Sequence, residues 1–153
     1  MKWLLTGLML IFLSCNGQKK SAMDKKVSEN EHDDNRLSLI VSDLYSGSDE
    51  AETLFIRDEK SLKKFYSKIN RTRKPGLPVP KIDFSNEMVI IRCAGKQENS
   101  DMPELYLVED PEVSLVIGVK KKITKTTSSA ITSPFSVYKM ALSEKQVIIR
   151  EHQ

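Results

Sequence analysis

From Arg36 onward the chain divides into short segments of alternating apolar and polar residues, separated by turn-forming ones. In RLSLIVSDLY, Arg36 to Tyr45, the residues Leu37, Leu39 and Val41 alternate with Ser38 and Ser42, which predicts a half-buried strand. Gly47 and Ser48 then supply a turn, and TLFIR, Thr53 to Arg57, is a second apolar run leading into Asp58, a good N-cap residue. In the following DEKSLKKFYSKIN, Leu62, Phe65, Tyr66 and Ile69 fall at helical spacings while Lys63, Lys64 and Lys68 fall on other faces, so one amphipathic helix is predicted, stopping near Asn70. Pro75, Gly76, Pro78 and Pro80 exclude regular structure in the next loop. Glu87 to Ala94, EMVIIRCA, is a strand of β-branched residues ending at Gly95, and Leu105 to Val108, Val113 to Val119, Phe135 to Leu142 and Gln146 to Arg150 are further strands. With strands dominant and one helix among them, the expected fold is mainly β, of α+β type: a largely antiparallel sheet or small β-sandwich carrying the helix.

The first 35 residues follow different rules. Residues 1 to 15 hold 11 apolar residues and residues 16 to 35 only 3, against 46 in the remaining 118. Met1 and Lys2 precede Trp3 to Leu13, WLLTGLMLIFL, a run too short to span a bilayer, which takes about 20 apolar residues. It has the length and flank of a secretory h-region. The next residues, FLSCNG, resemble the lipobox of bacterial lipoproteins, although Phe12 and Leu13 depart from its strictest form. The resemblance implies a signal peptide over residues 1–14 and a mature chain acylated on Cys15, where two or three acyl chains anchor firmly and one alone binds only marginally. An ordinary secretory signal, with the cysteine there by chance, and an uncleaved anchor helix are the alternatives. Asn16, where enteric bacteria carry aspartate for inner-membrane retention, points by the same resemblance to the outer membrane of a Gram-negative bacterium; periplasmic and surface faces are both open.

Residues 15–35 are expected to be a disordered tether, since a segment nearly without apolar residues cannot repay the entropy of ordering. As a coil of about 20 residues it would reach roughly 25 Å. Its basic half holds Lys19, Lys20, Lys25 and Lys26, and its acidic half Glu29, Glu31, Asp33 and Asp34. The basic half would favour anionic lipid, or both halves simply keep the segment solvated. His32 among the acids reads as a solvated residue. The folded domain is then 36–153.

Charge narrows the function classes. With 24 Lys+Arg against 21 Asp+Glu the chain carries a net charge of +3, far short of the concentrated basic stripe of a nucleic-acid binder. Catalytic chemistry is hard to assemble. The two histidines are His32 and His152, and with Cys15 acylated the free thiol is Cys93, which by alternation shares a face with Val89 and Ile91 and reads as a small buried hydrophobe. There is no glycine-rich phosphate loop, HExxH helix or CxxC pair, and Glu109, Asp110 and Glu112 around Pro111 lack EF-hand spacing, so no metal, cofactor or enzymatic activity is expected. Asp83, before Phe84 at a strand entrance, reads as a carboxylate capping turn amides. Two basic clusters stand out: Arg71, Arg73, Lys74 and Lys81 in the proline loop, and Lys120, Lys121, Lys122 and Lys125 after a strand. If the two loops meet they form an anion-attracting patch; otherwise they are solvated loops that discourage edge-to-edge aggregation.

PKIDFSNEMVIIRCAGK, Pro80 to Lys96, resembles the C-terminal domain of the PrcB family, lipoprotein-associated subunits of bacterial protease complexes. TSPFSVYKM, Thr132 to Met140, resembles that family's Pro-aromatic strand entry, and the preceding helix and final QVIIRE fit its order of elements. In place of the family's glycine-tyrosine motif stands ENSDMPELYL, Glu98 to Leu107. The resemblance implies a non-enzymatic accessory subunit, held at the membrane by its lipid, that stabilises, matures or restrains a protease. The expected partner contacts are the loop Arg71 to Pro80 with Arg71, Arg73 and Lys74, the loop Glu98 to Glu104 with Asp101, and Thr124 to Ser133, with Lys120, Lys121, Lys122 and Lys125 beside it. The alternative is a module for a small ligand or anionic polymer using the lysine-rich loops.

Overall fold

The computed structural model describes residues 37–109, 113–120 and 130–151. The signal segment, Cys15 and the tether lie outside the described residues, as do Asp110, Glu112, Lys121, Lys122, Lys125 and His152. Seven strands and one α-helix follow in the order β1 (Ser38–Asp43), β2 (Glu52–Ile56), α1 (Glu59–Ile69), β3 (Glu87–Cys93), β4 (Glu104–Glu109), β5 (Ser114–Lys120), β6 (Phe135–Ala141) and β7 (Gln146–Glu151). The chain is mainly β, in two sheets, with one helix among the described residues. No helix among them is long and apolar enough to cross a membrane.

The helix begins where its sequence predicts. Asp58, in extended conformation, accepts from the Ser61 amide at 2.8 Å and from the Ser61 hydroxyl at 2.7 Å, satisfying one of the orphan donors of the first turn. Glu59 pairs with Lys63 one turn on, at 2.8 Å, on the exposed face. Leu62, Phe65, Tyr66 and Ile69 form the buried face. At the other end Asn70 passes the chain into a short 3-10 turn, Asn70–Thr72. Its side chain donates to the Leu77 carbonyl and accepts from the Leu77 amide, both at 2.8 Å, so the proline loop is stapled back onto the helix end.

The first sheet has the order β1-β6-β3-β2, antiparallel throughout; the second is β4-β5-β7. The β5–β7 pair is parallel, the one departure from antiparallel pairing among the named strands. β5 and β7 are not joined by a hairpin, because β6, which lies between them in sequence, belongs to the first sheet. β3 and β6 occupy the centre of the first sheet and are buried on both faces, which explains why EMVIIRC carries an unbroken apolar run. Val89, Ile91, Cys93, Phe135 and Val137 pack under the helix with Leu62, Phe65, Tyr66 and Ile69. Met88, Ile90, Tyr138 and Met140 face the second sheet and pack on Leu105, Leu115 and Ile117. The result is three layers: helix, four-stranded sheet, three-stranded sheet.

The proline loop contains no strand, and Leu77, Ile82 and Phe84 pack from it against the helix-side core. Asp83 caps the turn before β3: its carboxylate accepts from the Ser85 amide at 3.1 Å and from the Asn86 side chain at 2.8 Å, and these bonds hold its pKa below the usual carboxylate value.

β1 departs from the simple alternation. Its register against β6 shifts between Leu39 and Val41, a β-bulge that turns the strand. Leu37 therefore packs on the second-sheet core and Val41 on the helix-side core, while Leu39 is 54% exposed. A period of two cannot survive an inserted residue.

Tyr66 carries an anomaly. It is 1% exposed, its hydroxyl has no hydrogen-bond partner among the described residues, and burial pushes its pKa up to about 12. An unpaired buried hydroxyl costs about 1 to 3 kcal/mol. Tyr66→Phe is therefore expected to be neutral or to stabilise the fold by about 1 kcal/mol in urea titration, and a loss of stability would show that the hydroxyl has a partner.

Candidate functional site

Asp43, Phe135, Cys93 and Glu52 stand in register across the first sheet and define one end of it. Described residues of the three segments singled out as partner contacts in the sequence meet near it. The proline loop is tied to the end of β1 by Arg73, whose guanidinium clasps both oxygens of Asp43. The next residues, Leu44 and Tyr45, meet the segment before β6: Ser133 donates its amide to the Leu44 carbonyl at 2.9 Å, and Tyr45 bridges to Ser133. The loop after β3 joins the same segment, because Gln97 and Thr132 exchange backbone hydrogen bonds at 3.0 and 2.9 Å. Gln97 also donates its side-chain amide to the Asp101 carbonyl at 2.9 Å, which shapes the loop carrying Asp101.

A buried polar knot supports this end. Ser46, Ser48 and Ser133 are all at most 7% exposed. The Ser133 hydroxyl accepts from the amides of Ser46 and Gly47 at 3.2 and 3.3 Å, and the Ser46 hydroxyl accepts from the Ser48 amide at 3.2 Å. Ser48 donates its own hydroxyl to Glu52, and Lys68 donates to the Ser48 oxygen at 3.0 Å while standing 3.9 Å from Glu52. Cys93 is the free thiol beside this knot, 0% exposed, and desolvation raises its pKa. Lys68 donates to the Ser48 oxygen while the Ser48 hydroxyl is turned to Glu52, and these bonds lock the loop. A buried thiol with a raised pKa is a poor nucleophile.

Sequence reasoning took Gly47 and Ser48 only as a turn and did not connect Ser46, Ser48, Glu52, Lys68, Cys93 and Ser133. Ser46 and Ser133 are 87 residues apart. No local spacing announces such a group; the nearest signal is the small, polar run SGS between two apolar strands.

The described members of the two basic clusters lie in different layers. Arg73 belongs to the helix side and is neutralised by Asp43, which holds the Arg73 pKa up and is itself held below the usual 3.8, with the Arg73 hydrogen bond as the largest cause. Lys120 ends β5 in the second sheet, bound to Glu104 at 2.8 Å and lying 6.0 Å from the centre of the Tyr106 ring. Arg71, Lys74 and Lys81 are exposed. Lys96 pairs with Asp49 at 3.0 Å. Among this paired charge stand exposed apolar side chains: Leu44 at 40%, Tyr45 at 43% and Ile131 at 71%. No group of three or more His, Cys, Asp or Glu side chains suited to a metal occurs among the described residues.

The Asp43–Arg73 clasp has a measurable pH signature. Both side chains are about three-quarters buried, and a charge-assisted pair of this kind is worth on the order of 1 to 2 kcal/mol. Because the folded Asp43 pKa is depressed, its contribution is complete above the unfolded value and is lost as pH falls through the folded one. Asp43→Asn is thus expected to show its full stability deficit relative to wild type at pH 7 and a smaller one in acid, as the pH falls through the lowered Asp43 pKa. A difference that is the same at pH 7 and in acid would refute the assignment.

Comparison of the chain with family models, with curated proteins and with solved structures finds no match.

Proposed function

We propose that this chain is a lipid-anchored, non-catalytic protein of the bacterial envelope whose β-rich domain binds another protein through the Asp43–Cys93 end. By the PrcB-like pattern of Pro80 to Lys96, that partner is a protease which it stabilises, matures or restrains. The single observation that carries the reading is that the Leu44–Ser48 loop and the loop after β3 both bond to Thr132–Ser133 while Arg73 ties the proline loop to Asp43, with Leu44, Tyr45 and Ile131 left exposed amid paired charges. A rigid patch with an aromatic, aliphatic residues and arginine at its edge has the composition of a protein-contact core and rim. The FLSCNG sequence supports anchoring on Cys15. The rival reading, an anion-binding module, is weakened because two of its cations, Arg73 and Lys120, already hold carboxylates.

The test has two arms. Intact mass of the purified mature protein is expected to begin at Cys15 and to include acyl chains; an unacylated, soluble product refutes the anchor. A photo-crosslinking residue at Tyr45 in intact cells is expected to capture one reproducible protein, with yield reduced by charge reversal at Arg71 and Lys74. Capture of no reproducible protein refutes the interaction surface.

A further inference from the structure

Each sheet has two outer strands, and an outer strand left straight is a template for another chain. Three of the four are blunted or mismatched. β1 and β4 both shift register against their neighbours, between Leu39 and Val41 and between Leu107 and Glu109. β2 is regular, but pairing it antiparallel with its own copy sets Glu52 against Ile56 when centred on Leu54, and Glu52 against Asp58 when centred on Phe55. β7 is regular along its whole length, carries the β-branched run Val147, Ile148, Ile149, and pairs among the described strands only with β5. Val147 and Ile149 turn inward to the core between the sheets, whereas Ile148 is 42% exposed.

Residues directly opposite in an antiparallel pair share a face, so a two-fold arrangement of this strand has few registers. Centred on Ile149, it sets Val147 against the partner's Glu151; centred on Val147, it sets Lys145 against the partner's Ile149. Centred on Ile148, it sets Ile148 on its own copy at the outer face, Val147 on the partner's Ile149 at the inner face, Gln146 on the partner's Arg150, and Lys145 on the partner's Glu151. In that register apolar meets apolar and cation meets carboxylate. The Glu151 side chain is 66% exposed, leaving room for this contact beside its bond from Arg92.

We propose that β7 is the seam of a homodimer: Gln146–Glu151 of two copies pair antiparallel about Ile148, joining the three-stranded sheets into one of six strands. This dimer is independent of the contact surface at the Asp43–Cys93 end and of what binds there. It is tested on the full chain in detergent by sedimentation velocity and by oxidative crosslinking. The wild type is expected to sediment at twice the protein mass of Ile148→Lys, which opposes two ammonium groups on the axis at an already exposed position. Facing residues in such a pair have Cα atoms about 4.5 to 5.5 Å apart, within disulfide range. Ile148→Cys is therefore expected to yield a disulfide-linked dimer on mild oxidation, and Phe55→Cys, exposed on the other regular outer strand, is not. A monomeric wild type, dimer mass retained by Ile148→Lys with an unchanged circular dichroism spectrum, or equal crosslinking by Phe55→Cys would overturn the proposal.

Discussion

Phe135→Ala is expected to remove about 3 to 5 kcal/mol of folding stability, the range for deleting a fully buried aromatic ring. Phe135 is 0% exposed and occupies the first position of β6, opposite Asp43 on one side and Cys93 on the other. Its ring meets Phe65 of the helix edge to face, with centres 5.4 Å apart, and Phe65 in turn meets Tyr66 at 5.9 Å. One side chain thus bridges the central strand and the helix layer directly under the candidate contact surface. The neighbours sit on three different elements and cannot collapse together into the space left behind, so the cavity cost adds to the lost burial. Domains of this size have about 5 to 15 kcal/mol in all, which makes this a large fraction. Urea titration should show the midpoint falling with the slope unchanged, and Phe135→Leu, which keeps most of the volume, should lose less. Equal losses in the two variants would show that the ring's shape and its Phe65 contact contribute nothing beyond hydrophobicity.

Gly95→Ala is expected to cost about 2 to 5 kcal/mol, from two additive causes. Gly95 has φ of 77°, in the left-handed region, where a Cβ costs about 1 to 2 kcal/mol. A Cβ there would also lie 2.7 Å from the Ala51 nitrogen and from the Glu50 carbonyl carbon, both main-chain atoms that no rotamer change can move. Relieving that overlap costs a further 1 to 3 kcal/mol or so. The strain falls where β3 leaves the sheet against the entry to β2, beside the Lys96 amide that donates to the Asp49 carbonyl at 3.0 Å. The expected readout is a lowered urea midpoint with the helix retained in far-ultraviolet circular dichroism. Wild-type stability in this variant would mean that the chain leaves β3 by another path.

The strands and helix were legible because their signals are local. Asp58 before a run with apolar residues three and four apart is a helix start in any context, and the structure places α1 within a residue of that reading. Glu87 to Ala94 read as a strand because its residues are β-branched, and the double-sided burial of β3 gives the reason for its apolar run. Asp83 announced its turn through its own short carboxylate. The bulge at Leu39 was invisible, since it answers to the pairing with β6, nearly a hundred residues on. The candidate site was legible only as separate loops: the sequence named Arg71 to Pro80, Glu98 to Glu104 and Thr124 to Ser133, but not that Thr132 bonds to Gln97, Ser133 to Leu44 and Arg73 to Asp43.

By itself the sequence determined the mainly β class and the place of nearly every element, because those follow from periodicity, capping and composition over a few neighbouring positions. Tertiary structure alone decided that β6 slides between β1 and β3, that β7 runs parallel to β5, that Arg73 and Lys120 spend their charge on Asp43 and Glu104, and that three serines, Glu52, Lys68 and Cys93 share one corner. Those outcomes depend on which faces are buried together and which buried donors find acceptors, a free energy summed over the whole molecule and written in no single stretch of the chain.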